Sequence, residues 1–398
     1  PPRFRRLSPM TDWKDRLETL AAAASDPAIR MRRDLHQHPE MAWTERRTTY
    51  RIAEAMRALG LEPHVRADGT GLIVDVGAGP PRVGFRADID ALPIQEQNDA
   101  PYRSLVDGMM HACGHDAHTA IAVGIANVLS QIEDLPGSVR LIFQPAEENL
   151  PSGAETLVAE GVHAGLEAIL AFHVDPSRPA GKLGLKAGPI TSAADKITIR
   201  LFGPGGHTSR PHETVDLVHV AGRMVVDLPV RLRAEIDSRQ QLVMVFGRIS
   251  GGGADNAIPT EVEIGGTARV PDPELWRTLP KLVDRLTADI AVPLGAGVEL
   301  DHRQGGPPVV NDAAVIDVVR NVTEQHLGAD SAEETHQSMG SEDFSVFLQD
   351  VPGAMIRLGV GRADRTVDLH SATFDLDEAA IETGILVGTA SLIRLLNA

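Results

Sequence analysis

The nine residues Met110-His111-Ala112-Cys113-Gly114-His115-Asp116-Ala117-His118 hold the only cysteine of the 398-residue chain and three of its 15 histidines. A thiol two residues from an imidazole, opening into an apolar periodic run, is a fragment of a metal site, because thiolate and imidazole are preferred ligands of divalent transition ions. Two side chains do not complete a coordination shell. Other segments must supply partners.

Four further polar clusters qualify. Arg86-Ala87-Asp88-Ile89-Asp90, Gln144-Pro145-Ala146-Glu147-Glu148 and His173-Val174-Asp175 each follow an apolar run, and Asp368-Leu369-His370-Ser371 lies in a loop before a final apolar helix. In open α/β sheets, ligands bind outside the carboxyl ends of the strands, so such segments converge on one rim. Each has an ordinary alternative. A glutamate pair is usually a solvated turn, a histidine at a strand end is usually structural, and His111 and His118 could be core or surface residues. The joint pattern is different: Cys, Glu and several His form a mixed S, O and N set that suits divalent transition ions, and five ligands exceed one tetrahedral site. Two adjacent carboxylates then divide the work, one binding metal and the other acting as general base toward a water. Asp88 and Asp116 are of the right type to fix an imidazole in orientation. The alternative for Asp116 is a helix N-cap.

These segments need a scaffold. The chain is long enough for two domains with sizeable cores. Its 42% apolar and 23% charged residues read as soluble and globular. A single cysteine excludes internal disulfides and a thiolate-only zinc module. It fits a reducing compartment, and a cytoplasmic protein is expected. The net charge of −17 argues against nucleic acid or an anionic membrane as partner. Arg3, Arg5 and Arg6 have no apolar run behind them, so no signal peptide is read. No stretch is read as approaching the roughly 18 apolar residues that span a bilayer. The residues before Thr11 read as a disordered tail.

Periodicity predicts a helix over 11–35, strands at 72–76 and 83–85, a helix marked by Ile121, Ile125, Val128 and Ile132, and strands at 139–143 and 168–172. This alternation implies an α/β sheet with much parallel character. The pattern then changes. A strand at 196–201, a helix through Val215 and Val226, strands at 242–249 and 262–270, a helix over 275–290 with a possible kink at Pro280, and a strand at 298–301 make a β-α-β-β-α-β order, the ferredoxin-like unit. Afterwards a helix at 313–326, a strand at 355–358 and a last helix with Ile381, Ile385, Gly388, Leu392 and Leu395 on one face resume the first pattern. The expected architecture is a discontinuous mixed-sheet α/β domain, 11–190 with 302–398, interrupted by an inserted ferredoxin-like domain, 191–301.

With Leu35-His36-Gln37-His38-Pro39-Glu40, Arg86-Ala87-Asp88-Ile89-Asp90-Ala91-Leu92-Pro93, the 111–118 and 144–148 segments, Gly205-Gly206-His207, Asn256-Ala257-Ile258-Pro259 and Met339-Gly340-Ser341-Glu342-Asp343-Phe344, the chain resembles a known family from about Arg32 to its C-terminus. This is the dinuclear metal-dependent aminoacylase, hippurate hydrolase and auxin-conjugate amidohydrolase family, within the co-catalytic metallocarboxypeptidases. The resemblance implies two divalent ions per subunit, with Zn, Mn, Co and Ni all tolerated. It implies Cys113, His115, Glu148, His173 and His370 as metal ligands and Glu147 as catalytic base. It further implies His207 as an oxyanion donor reaching the partner subunit's site, Asn256 and Arg269 as substrate-facing residues, and the inserted domain as lid and homodimer interface.

The expected function is therefore hydrolysis of the amide bond of an N-acyl amino acid or similar small conjugate. A di- or aminopeptidase of the same superfamily is one rival, and a non-catalytic conjugate-binding protein is another. The retained ligand set with Glu147 argues against the latter. No Gly-x-Ser-x-Gly elbow, Gly-x-Gly-x-x-Gly or Walker loop is read, which excludes the usual serine-hydrolase and nucleotide-binding signatures.

Overall fold

The computed structural model describes residues 11–364 and 367–398, so the expected tail before Thr11 lies outside the described residues. In chain order the elements begin with α1 (Thr11–Gln37), α2 (Arg46–Ala58), β1 (His64–Val65), β2 (Leu72–Gly77), β3 (Pro81–Asp88), α3 (His115–Ser130), β4 (Ser138–Gln144), α4 (Gly153–Ala159), β5 (Ala168–Pro179) and β6 (Leu183–Leu185). Next come β7 (Gly188–Pro189), β8 (Ala193–Phe202), β9 (Gly206–His207), α5 (Leu217–Glu235), β10 (Val243–Gly251), β11 (Ala257–Ile258), β12 (Glu261–Val270), α6 (Pro273–Ala291) and β13 (Gly297–Arg303). The chain ends with β14 (Val310–Asn311), α7 (Ala313–Leu327), β15 (Ala332–Glu334), β16 (Gly353–Gly361) and α8 (Ala379–Leu396).

The chain divides into two compact units. The first runs to Gly188 and includes Val310–His336 and Val346–Ala398; the second is Pro189–Val309 with Gln337–Ser345. Residues 189–190, 302–309 and 337–345, expected in the first unit, fall in the second. The physical reason is local: β13 continues to Arg303 along β8, and the Ser192 N–H donates to Gly340 O at 2.9 Å.

The first unit is built on an eight-stranded mixed sheet in the order β1-β2-β4-β3-β5-β16-β6-β15. Its centre, β4-β3-β5-β16, is parallel throughout, so the carboxyl ends of these strands share one edge. β3 and β4 are buried along most of their length, as expected of strands covered on both faces. α1 carries a buried stripe of Leu17, Ala21, Ala24 and Ala28 that continues into Arg32, Leu35 and His36. The α3–α8 contact is close because glycines line it: a Cβ on Gly124 would lie 2.3 Å from Ile385 Cδ1.

α8 requires a correction. Over its 18 residues the mean hydropathy is 1.5, long and apolar enough to cross a bilayer, contrary to the expectation that no stretch approaches that length. Its side chains are nevertheless mostly buried within the fold, where Ile381, Ile385 and Leu392 have no exposed surface. The composition reflects a core helix enclosed on nearly all sides.

The second unit is a four-stranded antiparallel sheet in the order β10-β12-β8-β13. Residues of β8 alternate, with Ile197, Ile199 and Leu201 buried against Leu217, Met224 and Leu228 of α5 and Leu279, Val283 and Leu286 of α6. α6 passes through Pro280 as one element. The chain order is β-α-β-β-α-β.

Candidate metal centre

The shared edge of β3, β4 and β5 brings the polar clusters together. Cys113 and Gly114 precede α3, whose N-cap is Gly114 in the left-handed region, φ 83°. Asp116 therefore sits in the first helical turn, not at the cap position. Glu147 and Glu148 follow β4. His173 was expected just beyond its strand, but β5 extends to Pro179 and His173 lies inside it, opposite Arg357 of β16. His370 has φ 60°, and its N–H donates to Ala112 O at 2.8 Å, which ties its loop to the segment carrying Cys113.

Candidate ligand atoms of Cys113, Glu148 and His370 lie within 4.8 Å of one another, as do those of His115, Glu147 and Glu148. Cys113 Sγ is 3.7 Å from His173 Nε2 and 3.4 Å from His370 Nε2. His370 Nε2 is also 3.1 Å from Glu148 Oε1. All five expected ligands and Glu147 are thus brought into one cluster.

The partners of two imidazoles settle which nitrogen faces the cluster. His115 Nδ1 lies 2.9 Å from Asp90 O and 3.2 Å from Asp90 Oδ1, both acceptors, so Nδ1 carries the proton. His173 Nδ1 donates to Val174 O at 2.9 Å. In the neutral rings Nε2 is then the lone-pair atom, the form that binds metal. His115 Nε2 is buried and has no hydrogen-bond partner, and the buried Glu148 Oε1 meets only His370 Nε2, itself a candidate ligand atom, at 3.1 Å. Buried polar atoms without partners are costly. Together with the sulfur and imidazoles beside them, they fit a soft-to-borderline divalent cation.

His118 does not join the set. Its Nε2 accepts the Val174 N–H at 3.0 Å and its Nδ1 is 2.6 Å from Asp88 Oδ1, so both nitrogens are committed. Asp88 thus holds His118, while its other oxygen accepts from Arg86 Nη1 at 2.6 Å. Asp116 also holds an imidazole, but that of His36, at 2.8 Å, together with the Arg32 guanidinium at 2.7 Å. Neither aspartate makes a hydrogen bond to a nitrogen of an expected ligand. Asp90, at the next position of the 86-88-90 alternation, does so, and its Oδ2 also accepts the Glu148 N–H at 3.0 Å.

The electrostatics follow from burial and these neighbours. Burial pushes the Cys113 thiol up to about 12. Burial alone would lower the His115 imidazole, but the Asp88 carboxylate and Cys113 hold it well above its ordinary value. Burial and the Arg357 guanidinium hold His173 well below its ordinary value.

His207, Asn256 and Arg269 belong to the second unit. His207 pairs with Ala257 across β9–β11, and the Thr208 N–H donates to Asn256 O at 3.2 Å, so the histidine and asparagine segments are adjacent. His207 Nδ1 accepts the Ser209 N–H at 3.1 Å, which in the neutral ring leaves the proton on Nε2. Arg269 Nη1 donates to Ser341 Oγ at 3.4 Å, linking it to the 339–344 motif.

Residues 84–394 match the model of peptidase family M20/M25/M40. A putative glutamate–cysteine ligase 2-3 of Rhodococcus jostii is 43% identical over 90% of this chain, which spans only 45% of that relative. An N-acetylcysteine deacetylase of Bacillus subtilis is 36% identical, covering 89% of this chain and 92% of its own. Among solved structures, the Bacillus subtilis YXEP protein, described as a dinuclear metal binding peptidase from the M20 family, superposes with a TM-score of 0.84 at 33% identity, over 94% of this chain and 99% of its own. This chain belongs to peptidase family M20/M25/M40 and is a hydrolase acting on amide bonds.

Proposed function

We propose that the chain is a metal-dependent amidohydrolase that cleaves the amide bond of N-acyl amino acids. One observation carries the reading: Cys113, His115, Glu148, His173 and His370, drawn from separate segments, converge on one cluster with Glu147 beside them. These five side chains would hold two divalent ions, in keeping with the dinuclear description of the YXEP relative. When bound, such a pair lowers the pKa of a water and polarises a carbonyl.

The chain's own groups do the rest. Glu147, within 4.8 Å of candidate ligand atoms of His115 and Glu148, takes the proton of the attacking water and passes it to the leaving amine. The products are a carboxylic acid and an amine. His207 donates its Nε2 proton in a hydrogen bond to the carbonyl oxygen as negative charge develops there. Asn256 and Arg269 face the substrate, the arginine offering a cation for its carboxylate. The second unit serves as a ferredoxin-like lid and homodimer interface, so that His207 of one subunit serves the site of the other. A cytoplasmic location goes with this reading.

The test pairs elemental analysis with a panel of N-acyl amino acids and dipeptides. Turnover of N-acyl amino acids by protein carrying two equivalents of metal is expected. Preference for substrates with a free α-amine would favour a di- or aminopeptidase, and inactivity across the panel would favour a binding protein.

A further inference from the structure

Glu45 is a fully buried carboxylate at the N-cap of α2, yet it makes no capping bond to its own helix. Glu40 does that work, accepting the N–H groups of Arg47 at 3.0 Å and Thr48 at 2.7 Å. Glu45 Oε1 instead accepts the N–H of Ala146 at 2.8 Å, 101 residues away. Ala146 immediately precedes Glu147 and has φ 53°, a left-handed conformation that L-residues adopt only at a cost. Its carbonyl is gripped as well, by the Gly153 N–H at 2.9 Å. The residues on either side of Glu147 therefore each have their N–H held by a carboxylate: Ala146 by Glu45 and Glu148 by Asp90.

The support around Glu45 points the same way. Its carbonyl accepts the Thr49 hydroxyl at 2.6 Å, and that hydroxyl accepts the Gly71 N–H at 2.8 Å. Pro145 rests on Gly71, where a Cβ would lie 2.6 Å from Pro145 Cδ. Trp43, itself at φ 64°, donates its indole N–H to Pro151 O at 3.0 Å. The segment 43–45 thus holds the 146–151 loop at both ends.

We infer that Glu45 is a positioning residue for amide hydrolysis: its acceptor oxygen locks Ala146 in the left-handed conformation that sets Glu147 and Glu148 against the metal cluster. This rests on the proposed roles of that glutamate pair. Oxygens and nitrogens misplaced by about 1 Å can cost 10²-fold in rate, so a backbone lock one residue from a base matters.

The experiment uses the full chain and Zn²⁺ as probe, titrated against a competing chelator well below the melting temperature, with kcat and KM measured on the best amide substrate. Glu45→Ala and Glu45→Asp, which lose the bond to Ala146, are expected to bind Zn²⁺ about tenfold or more weakly and to lose kcat with KM little changed. Glu45→Gln keeps the acceptor and should restore both. A merely stabilising role would lower the melting temperature and leave Zn²⁺ affinity and kcat alone. Wild-type Zn²⁺ binding and kcat in folded Glu45→Ala, or Glu45→Gln as impaired as Glu45→Ala, would overturn the inference. Glu148→Ala is titrated alongside: if it binds Zn²⁺ normally, the fault lies in the metal assignment and not in Glu45.

Discussion

Asp90 and Glu148 are joined by a hydrogen bond from the glutamate's N–H to the aspartate's Oδ2, 3.0 Å long, while the other oxygen of Asp90 lies 3.2 Å from His115 Nδ1. One carboxylate thereby orients two of the proposed ligands. Asp90→Ala should weaken metal binding about 10–100-fold, the usual effect of removing such a support. Chelator-competition titration measures it, and an unchanged affinity would mean that the imidazole is held by Asp90's backbone carbonyl alone.

His207 makes a separate prediction. His207→Ala should reduce turnover about 10²–10³-fold, the loss seen when an oxyanion donor is removed. Its metal content should match the wild type, since no proposed ligand lies in the second unit. Normal turnover in this variant would remove the donor role.

Arg32 has no exposed surface and bonds Asp116 at 2.7 Å, Asp375 at 3.3 Å and Glu378 at 3.3 Å, with Tyr102 4.7 Å from its guanidinium carbon. It ties α1 to the start of α3 and to the segment after His370. Removing one partner of a buried ionic group strands the others, so Arg32→Met should cost about 3–5 kcal/mol. Urea unfolding of metal-free protein measures this, and a loss near zero would show that the carboxylates find other partners.

Glu45 also predicts a pH dependence. Burial pushes its carboxyl from the ordinary 4.5 up to about 7. Between these values the native state binds more protons than the unfolded state, so this contribution is present at pH 4.5 and is lost as pH rises to 7. Glu45→Gln mimics the protonated form and removes the loss. The variant should therefore gain on wild type by roughly 1–3 kcal/mol between pH 5 and pH 7.5. Parallel pH profiles for the two proteins would contradict the raised carboxyl.

The legible parts of the sequence were those governed by periodicity and by local order. α3 was marked by Ile121, Ile125 and Val128, and the strands before Asp88 and Gln144 by continuous apolar runs. α2 leaves no such trace because Thr48 and Thr49 share its buried face with Ile52, Ala53 and Met56, among four arginines and Glu54 that are exposed or half-buried. The apolar run ends at Phe172 and nothing local signals that β5 continues through His173 to Pro179; pairing with β16 decides that. Asp88 and Asp90 are equivalent by type and alternation, and only the packed structure shows that Asp90 is the one bonded to His115 Nδ1. Arg32 lies on a helical stripe that reads as apolar, and its carboxylate partners are 84, 343 and 346 residues away. Long-range polar pairing of that kind leaves no periodic trace.

The central claim is the division of labour between adjacent glutamates, Glu147 as base and Glu148 as ligand. Metal content and turnover of the two alanine variants test it together. Glu147→Ala should keep its metal and lose about 10²–10⁴-fold in turnover, whereas Glu148→Ala should lose metal. Full metal content and wild-type turnover in both variants would contradict the account.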